Sequence, residues 1–207
     1  MTVIDITPVI RGASPVYPGD ASLSIKRTCL EPSLVSAFEM SAHMGAHVDA
    51  PMHVYQTGDL CSIDLRRLMG ECVVLDCQGH REIRPEHIPD QLKAKRLLLK
   101  TSFVMPEQWT GDFSYLLPQT IDKLIEMGVD VLGIDTPSID RADSEILPSH
   151  RSALSRGVLI LENLLLQNVS EGVYTLVALP LKIEGLEASP VRAVLIEKEY
   201  FSDAKNF

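Results

Sequence analysis

Three of the chain's six histidines fall within His43-Met44-Gly45-Ala46-His47-Val48-Asp49-Ala50-Pro51-Met52-His53, together with an aspartate. Imidazole and carboxylate are the ligands that zinc and similar divalent ions take from proteins. Positions 43, 47, 49 and 53 are all odd, so in an extended segment their side chains share one face. Ten extended steps span roughly 33 Å, however, so a straight strand cannot bring all four to one ion. His47 and Asp49, about 6–7 Å apart at Cα in a strand, can reach one together. His43 and His53 join them only if the chain bends. Gly45 and Pro51 are suited to bending, and Pro51 biases Ala50 away from helix. Two readings stay open on pattern alone: a loop wrapped around an ion, or a polar strand face of solvated histidines.

Glu162 is a second anomaly. It separates Val158–Leu161 from Leu164–Leu166, and a carboxylate in so apolar a stretch is costly unless paired or ligated. The alternative is a strand end that points to water. His150 lies on or near a short helix just before it, facing either inward or outward. Asp135 follows an apolar strand and reads as a turn or cap residue. His80 and His87 stand in polar surroundings and read as surface.

The elements that must carry these residues are legible in outline. Val3–Thr7 alternates as an opening strand. Ser14–Asp20 holds two prolines and a glycine and must be loop. Cys72–Cys77 reads as a buried strand, Pro85–Lys95 as a short helix, and Arg96–Lys100 as a strand. Pro118–Met127 carries a helical stripe of Ile121, Leu124 and Ile125, with Gly128 at the C-cap position. Val129–Ile134 follows as a strand. Pro148–Arg156, Gly157 and Val158–Leu161 repeat that helix–glycine–strand unit. Tyr174–Leu179 and Val191–Ile196 close the chain as strands. The first 80 residues look mostly β, and the whole predicts one mixed α/β domain over residues 1–207.

Composition narrows the function classes. The chain has 207 residues, 45% of them apolar and 23% charged, with a net charge of −9. That is ordinary globular usage and excludes a disordered, collagenous or coiled-coil chain. An acidic surface argues against nucleic acid or an anionic membrane as partner. The one basic cluster, Lys93, Lys95 and Arg96, reads as a solvated helix end. No apolar run approaches the 18 or more residues of a membrane helix. Met1–Asp5 lacks the basic start of a secretory signal, which predicts a cytoplasmic protein. Cys29, Cys61, Cys72 and Cys77 show no CxxC spacing and are expected to be reduced thiols buried as small hydrophobes.

Together these residues resemble a known family. His43-x-Gly45-x-His47-x-Asp49-x-Pro51-x-His53 is similar to the signature of the cyclase-like metal-dependent hydrolases, whose best-known members are bacterial kynurenine formamidases. Four further blocks resemble the family in order: Ile4–Ile6 with Pro15–Asp20, Gly133–Asp140, His150 with Ile160–Asn163, and Ala178–Leu181 with Ser189–Val194. One HxxxH would be a weak signal; five ordered blocks along almost the whole chain are not.

The resemblance implies an α/β fold of the swivelling β/β/α type, and a homodimer or homotetramer. It implies two divalent metal ions per subunit, usually zinc, with manganese in some relatives. By position, His43, His47 and Asp49 would hold one ion and His150 the second, with Asp49 and Glu162 bridging both. His53 would be the acid/base residue. The implied activity is hydrolysis of a small-molecule amide, N-formyl-L-kynurenine, to L-kynurenine and formate. Alternatives are an isatin-like cyclic-amide hydrolase or cyclase of the same family, and a non-catalytic metal-binding scaffold. Tyr17 stands where the kynurenine formamidases tend to have Trp, against the aromatic substrate. It offers a smaller ring with a hydroxyl, or simply a turn aromatic over the core.

Overall fold

A computed structural model describes residues 2–197. Thirteen strands and three helices are assigned among the described residues. The strands are β1 Val3–Asp5, β2 Ser24–Leu30, β3 Ser33–Glu39, β4 His47–Asp49, β5 Met69–Asp76, β6 Glu82–Ile83, β7 Arg96–Lys100, β8 Tyr115–Leu116, β9 Val131–Ile134, β10 Leu159–Glu162, β11 Gly172–Val177, β12 Ala188–Pro190 and β13 Val194–Glu197. The helices are α1 Met52–Tyr55, α2 Pro118–Glu126 and α3 Pro148–Ser155.

Nine strands form one mixed sheet in the order β1-β13-β11-β5-β7-β9-β10-β4-β12. The middle run β5-β7-β9-β10 is parallel, and the other pairs are antiparallel. Strands buried on both faces should read as continuous apolar runs rather than alternate, and β7 does: Leu97, Leu98 and Leu99 are all fully buried. Leu98 packs with Val48, Val74 and Leu161 on one face; Leu97 and Leu99 pack with Ile121, Leu124, Leu154 and Ile160 on the other, beneath α2 and α3.

The same period places the polar residues. Ile160 lies on the helix-covered face, so Glu162 lies there too. In the β4–β10 register Asp49 opposes Ile160 and His47 opposes Glu162, while Val48 opposes Leu161 on the other face. Three chemically able side chains therefore emerge on one face of two neighbouring interior strands.

The expected mixed α/β architecture holds, and both helix–glycine–strand units form where expected. The Pro85–Lys95 helix does not: only a 3-10 turn, Pro85–His87, is present. Two prolines, at 85 and 89, leave too few unbroken residues for a stable helix. Arg96 is therefore no solvated helix end. It opens β7, and its guanidinium donates to the carbonyls of Arg66, Arg67 and Glu71. All four cysteines are free thiols, but only Cys72 and Cys77 are buried; Cys29 and Cys61 are exposed. Cys29 is exposed because β2 and β3 form a separate hairpin, paired only with each other, in which every residue is exposed. No helix among the described residues is long and apolar enough to cross a membrane.

Candidate metal centre

The segment 43–53 folds back on itself. His43 lies in a turn closed by the Met44 N–H donating to the Ser41 carbonyl at 3.1 Å. Gly45 follows at φ +72°, and a Cβ there would sit 2.7 Å from the Ile10 side chain, so the turn requires glycine. The chain then runs straight only for His47–Asp49. Pro51 caps α1, a single turn that carries His53 back. The His43 and His53 rings end 4.5 Å apart between centroids, where an extended chain would have held them far apart. Both suggested bending points are used.

His150 comes from the opposite side, in the first turn of α3, and its ring lies 5.4 Å from that of His53. Its Nε2 is 3.1 Å from Glu162 Oε1 and 3.6 Å from Asp49 Oδ2. His47 Nε2 is 3.4 Å from Asp49 Oδ1 and 3.5 Å from Glu162 Oε2. His43 Nδ1 is 3.1 Å from Asp49 Oδ1. All six residues read from the sequence as metal ligands or acid/base group thus meet in one place, and Asp49, His47, Glu162 and His150 are buried there.

The donor set fits a cation. His47 Nδ1 lies 2.9 Å from the Gly45 carbonyl, an acceptor, so in the neutral ring Nδ1 carries the proton and Nε2 presents a bare lone pair. That lone pair faces carboxylate oxygens, which are also acceptors. His47 Nε2 and both Asp49 oxygens are buried without any hydrogen-bond partner. Three orphaned acceptors turned towards each other are costly in a protein interior and become favourable around a positive ion. Two triads could hold one, His47/Asp49/Glu162 and His43/Asp49/His53, each with ligand atoms within 4.8 Å of one another.

Titration follows the same logic. Burial would raise Asp49, but His47, His150 and His43 outweigh it and hold its carboxyl well below the usual range. Burial works against protonated His43, yet Asp49, Glu162 and Glu187 push it up to about 9. Burial likewise opposes His150, while Glu162, Asp140 and Asp49 keep it well above an ordinary imidazole. The paired carboxylates call for positive charge at the centre, and protons supply it where an ion does not. His53 differs: burial, with His43 and His150 adding to it, holds it below the ordinary imidazole value, so it is largely neutral at pH 7.

The cluster forms one end of a cavity of about 1050 Å³. Tyr17, Phe103 and Trp109 give it an aromatic wall, with the Tyr17 and Trp109 rings edge to face at 5.0 Å. The Tyr17 hydroxyl donates to the Ala142 carbonyl at 2.7 Å, which orients its ring into that wall. Asp135 is no turn cap. It is a buried acceptor for Thr101 N–H, Thr101 Oγ1 and Ser102 N–H, and so pins the root of the segment that carries Phe103 and Trp109. Burial pushes its carboxyl up to about 6 against those donors. His80 and His87 stack on each other at 3.7 Å, away from the cavity; His80 is exposed as expected, whereas His87 is half-buried and its Nδ1 accepts from Arg84 N–H.

Sequence reasoning gave no role to Asp140, Trp109 or Glu187. Trp109, the chain's only tryptophan, offered some signal; Asp140 and Glu187 offered none, and the partner of Glu187, His43, is distant in sequence.

Comparison with known proteins follows this geometry. A family model described as "Putative cyclase" matches residues 4–141. A kynurenine formamidase of Delftia acidovorans (strain DSM 14801 / SPH-1) is 40% identical over 205 residues, covering 92% of this chain and 95% of the relative. One of Bordetella petrii (strain ATCC BAA-461 / DSM 12804 / CCUG 43448) is 43% identical over 207 residues, covering 93% and 97%. Among solved structures, a "predicted metal-dependent hydrolase" from Bacillus stearothermophilus superposes with a TM-score of 0.82 at 31% identity, covering 94% of this chain and 97% of that one.

Proposed function

The chain belongs to the cyclase family, and from that premise we propose that it is a metal-dependent hydrolase of carbon–nitrogen bonds, an arylformamidase that cleaves N-formyl-L-kynurenine to L-kynurenine and formate. The observation that carries this reading is the set of orphaned acceptors on His47 and Asp49, buried beside His43, His53, His150 and Glu162, which line an aromatic-walled cavity. We assign two divalent ions to the centre, zinc first and manganese as the alternative. His43, His47 and Asp49 would hold one and His150 the other, with Asp49 and Glu162 shared. Bound there, such ions supply Lewis-acid polarisation of a carbonyl and bring the pKa of water towards neutrality.

The protein's own groups do the rest. Tyr17 and Trp109 offer ring edges and faces to an aryl substrate and leave its formamide pointing at the cluster. His53, neutral at pH 7, accepts a proton from the attacking water at a ring nitrogen. It then returns that proton to the departing aryl nitrogen, acting as general acid in the second half of the cycle. Formate and the free arylamine leave.

An exposed apolar face points to self-association. The hairpin β2–β3 is the candidate contact. Ile25 and Phe38 oppose each other across it, 46% and 62% exposed, and a two-stranded hairpin is marginal on its own. We read the chain as one hydrolase domain forming a homodimer or homotetramer. Free thiols suit a reducing compartment and a cytoplasmic enzyme.

The test is hydrolysis of N-formyl-L-kynurenine, followed by absorbance, with protein stripped of metal and refilled with zinc or manganese. Metal-restored release of kynurenine supports the assignment. No turnover with metal bound would discard this substrate and direct attention to ring-opening of cyclic amides. Absence of bound metal would sink the reading. Light scattering on the parent and on a Phe38→Lys variant tests the assembly.

A further inference from the structure

Three imidazoles face the Asp49–Glu162 pair, and each turns its second nitrogen to an outer oxygen. For His47 that oxygen is the Gly45 carbonyl at 2.9 Å, and for His150 it is Asp140 Oδ2 at 2.8 Å. His43 is reversed end for end. Its Nδ1 points inward, 3.1 Å from Asp49 Oδ1, and its Nε2 points away, 3.4 Å from Glu187 Oε1. We infer that Glu187 is a positioning residue for His43: it accepts from Nε2–H and leaves the Nδ1 lone pair directed into the centre. This rests on reading the cluster as a metal centre.

The backbone places Glu187 where this requires. It directly precedes β12, whose Ala188 opposes Asp49 on β4. Its own carbonyl accepts from Ala50 N–H at 2.8 Å, and that of Leu186 from Leu60 N–H at 3.2 Å. Gly185 N–H donates to Asp59 Oδ2 at 2.9 Å. The segment is thus stitched to the chain leaving β4, and the Glu187 side chain emerges beside His43.

His43 also needs such a restraint more than the other two rings do. Its side chain is 20% exposed, against 1% for His47 and 2% for His150, so packing encloses it least. Among the described residues, the Glu187 carboxylate forms an ion pair only with His43. A neutral imidazole carries one proton, and an acceptor at Nε2 selects the tautomer that keeps it there. An outer carboxylate also makes the inward nitrogen a better donor to a metal, an effect worth about 10–100-fold in affinity.

The experiment uses the full chain as parent, Glu187→Ala and Glu187→Gln. Zinc affinity is read by competition with a chromophoric chelator, the thermal midpoint on metal-free protein, and the tautomer of His43 by proton–nitrogen correlation on zinc-loaded protein. The expected result is zinc affinity about 10–100-fold weaker in Glu187→Ala, with its metal-free midpoint close to the parent's. Glu187→Gln should lose less, because the amide oxygen still accepts from Nε2–H. His43 should be Nε2-protonated in the loaded parent. Affinities within twofold of the parent in both variants, or an Nδ1-protonated His43, would overturn the role of Glu187 while leaving the metal centre standing. A parent that takes up no zinc would remove the metal centre itself, and this inference with it.

Discussion

Asp140 holds His150 at two points: its Oδ2 accepts from the His150 backbone N–H at 2.9 Å and lies 2.8 Å from the ring Nδ1. Its Oδ1 accepts from Ser149 N–H at 2.9 Å. Leu147, at the N-cap of α3, has no side chain able to cap, so a residue from the preceding loop does that work. One carboxylate therefore starts the helix and fixes the ring that the helix presents. Burial would raise Asp140, but the contact with His150 outweighs it and holds the carboxyl below its ordinary value.

Asp140→Ala should then fail in two measurable ways. Loss of the cap should lower stability by about 1–2 kcal/mol in denaturant unfolding. Loss of the outer partner of His150 should weaken zinc binding by about 10–100-fold in chelator competition. A variant that kept parental zinc affinity would confine Asp140 to the helix.

His53 and Glu162 should separate cleanly. His53→Ala should lose about 10²–10⁴-fold in kcat and keep its metal, as expected for removal of one general acid/base group. Glu162→Ala should lose metal and activity together. Metal analysis alongside kinetics decides between them, because His53 also lies within ligand reach of His43 and Asp49. Loss of an ion from His53→Ala would make it a ligand.

Metal uptake should release protons. His43 is held up at about 9 and His150 well above an ordinary imidazole, whereas a bound ion needs both neutral. Apparent zinc affinity should therefore rise from pH 6 to pH 8.5. Calorimetry in buffers of different ionisation enthalpy should count protons leaving. The folding linkage of His43 has the opposite sign: the folded metal-free protein binds its proton more tightly than the unfolded chain. Its contribution is full below pH 6.5 and is lost as pH rises through about 9, so the metal-free midpoint should fall over that range.

Trp109 is the only tryptophan, lines the cavity and lies 5.0 Å from Tyr17. Its fluorescence should change on titration with kynurenine, and the change should be absent in Trp109→Phe. Tyr17→Ala should raise KM more than it lowers kcat, because it removes binding surface and no reacting group. A fall confined to kcat would place Tyr17 in the chemistry instead.

Much of this site was legible in the sequence because it lies in residue type and short-range spacing. Gly45 and Pro51 within a His/Asp run offered bending points, and the structure bends at both. The helix stripe ending at Gly128 and the run Leu97–Leu99 within β7 stood out because burial imposes a pattern that a sequence carries openly. The helix expected over Pro85–Lys95 failed on its two prolines, and the expected burial of Cys29 failed because β2–β3 leaves the sheet.

The sequence by itself determined which groups could bind a cation and that Glu162 needed a reason to sit among leucines. Tertiary structure alone decided that His47 opposes Glu162, because strand register is set by the packing of two whole faces rather than by either segment. It alone decided which nitrogen each imidazole turns inward. That choice depends on Gly45, Asp140 and Glu187 as outer acceptors, and two of the three come from parts of the chain that only folding brings near.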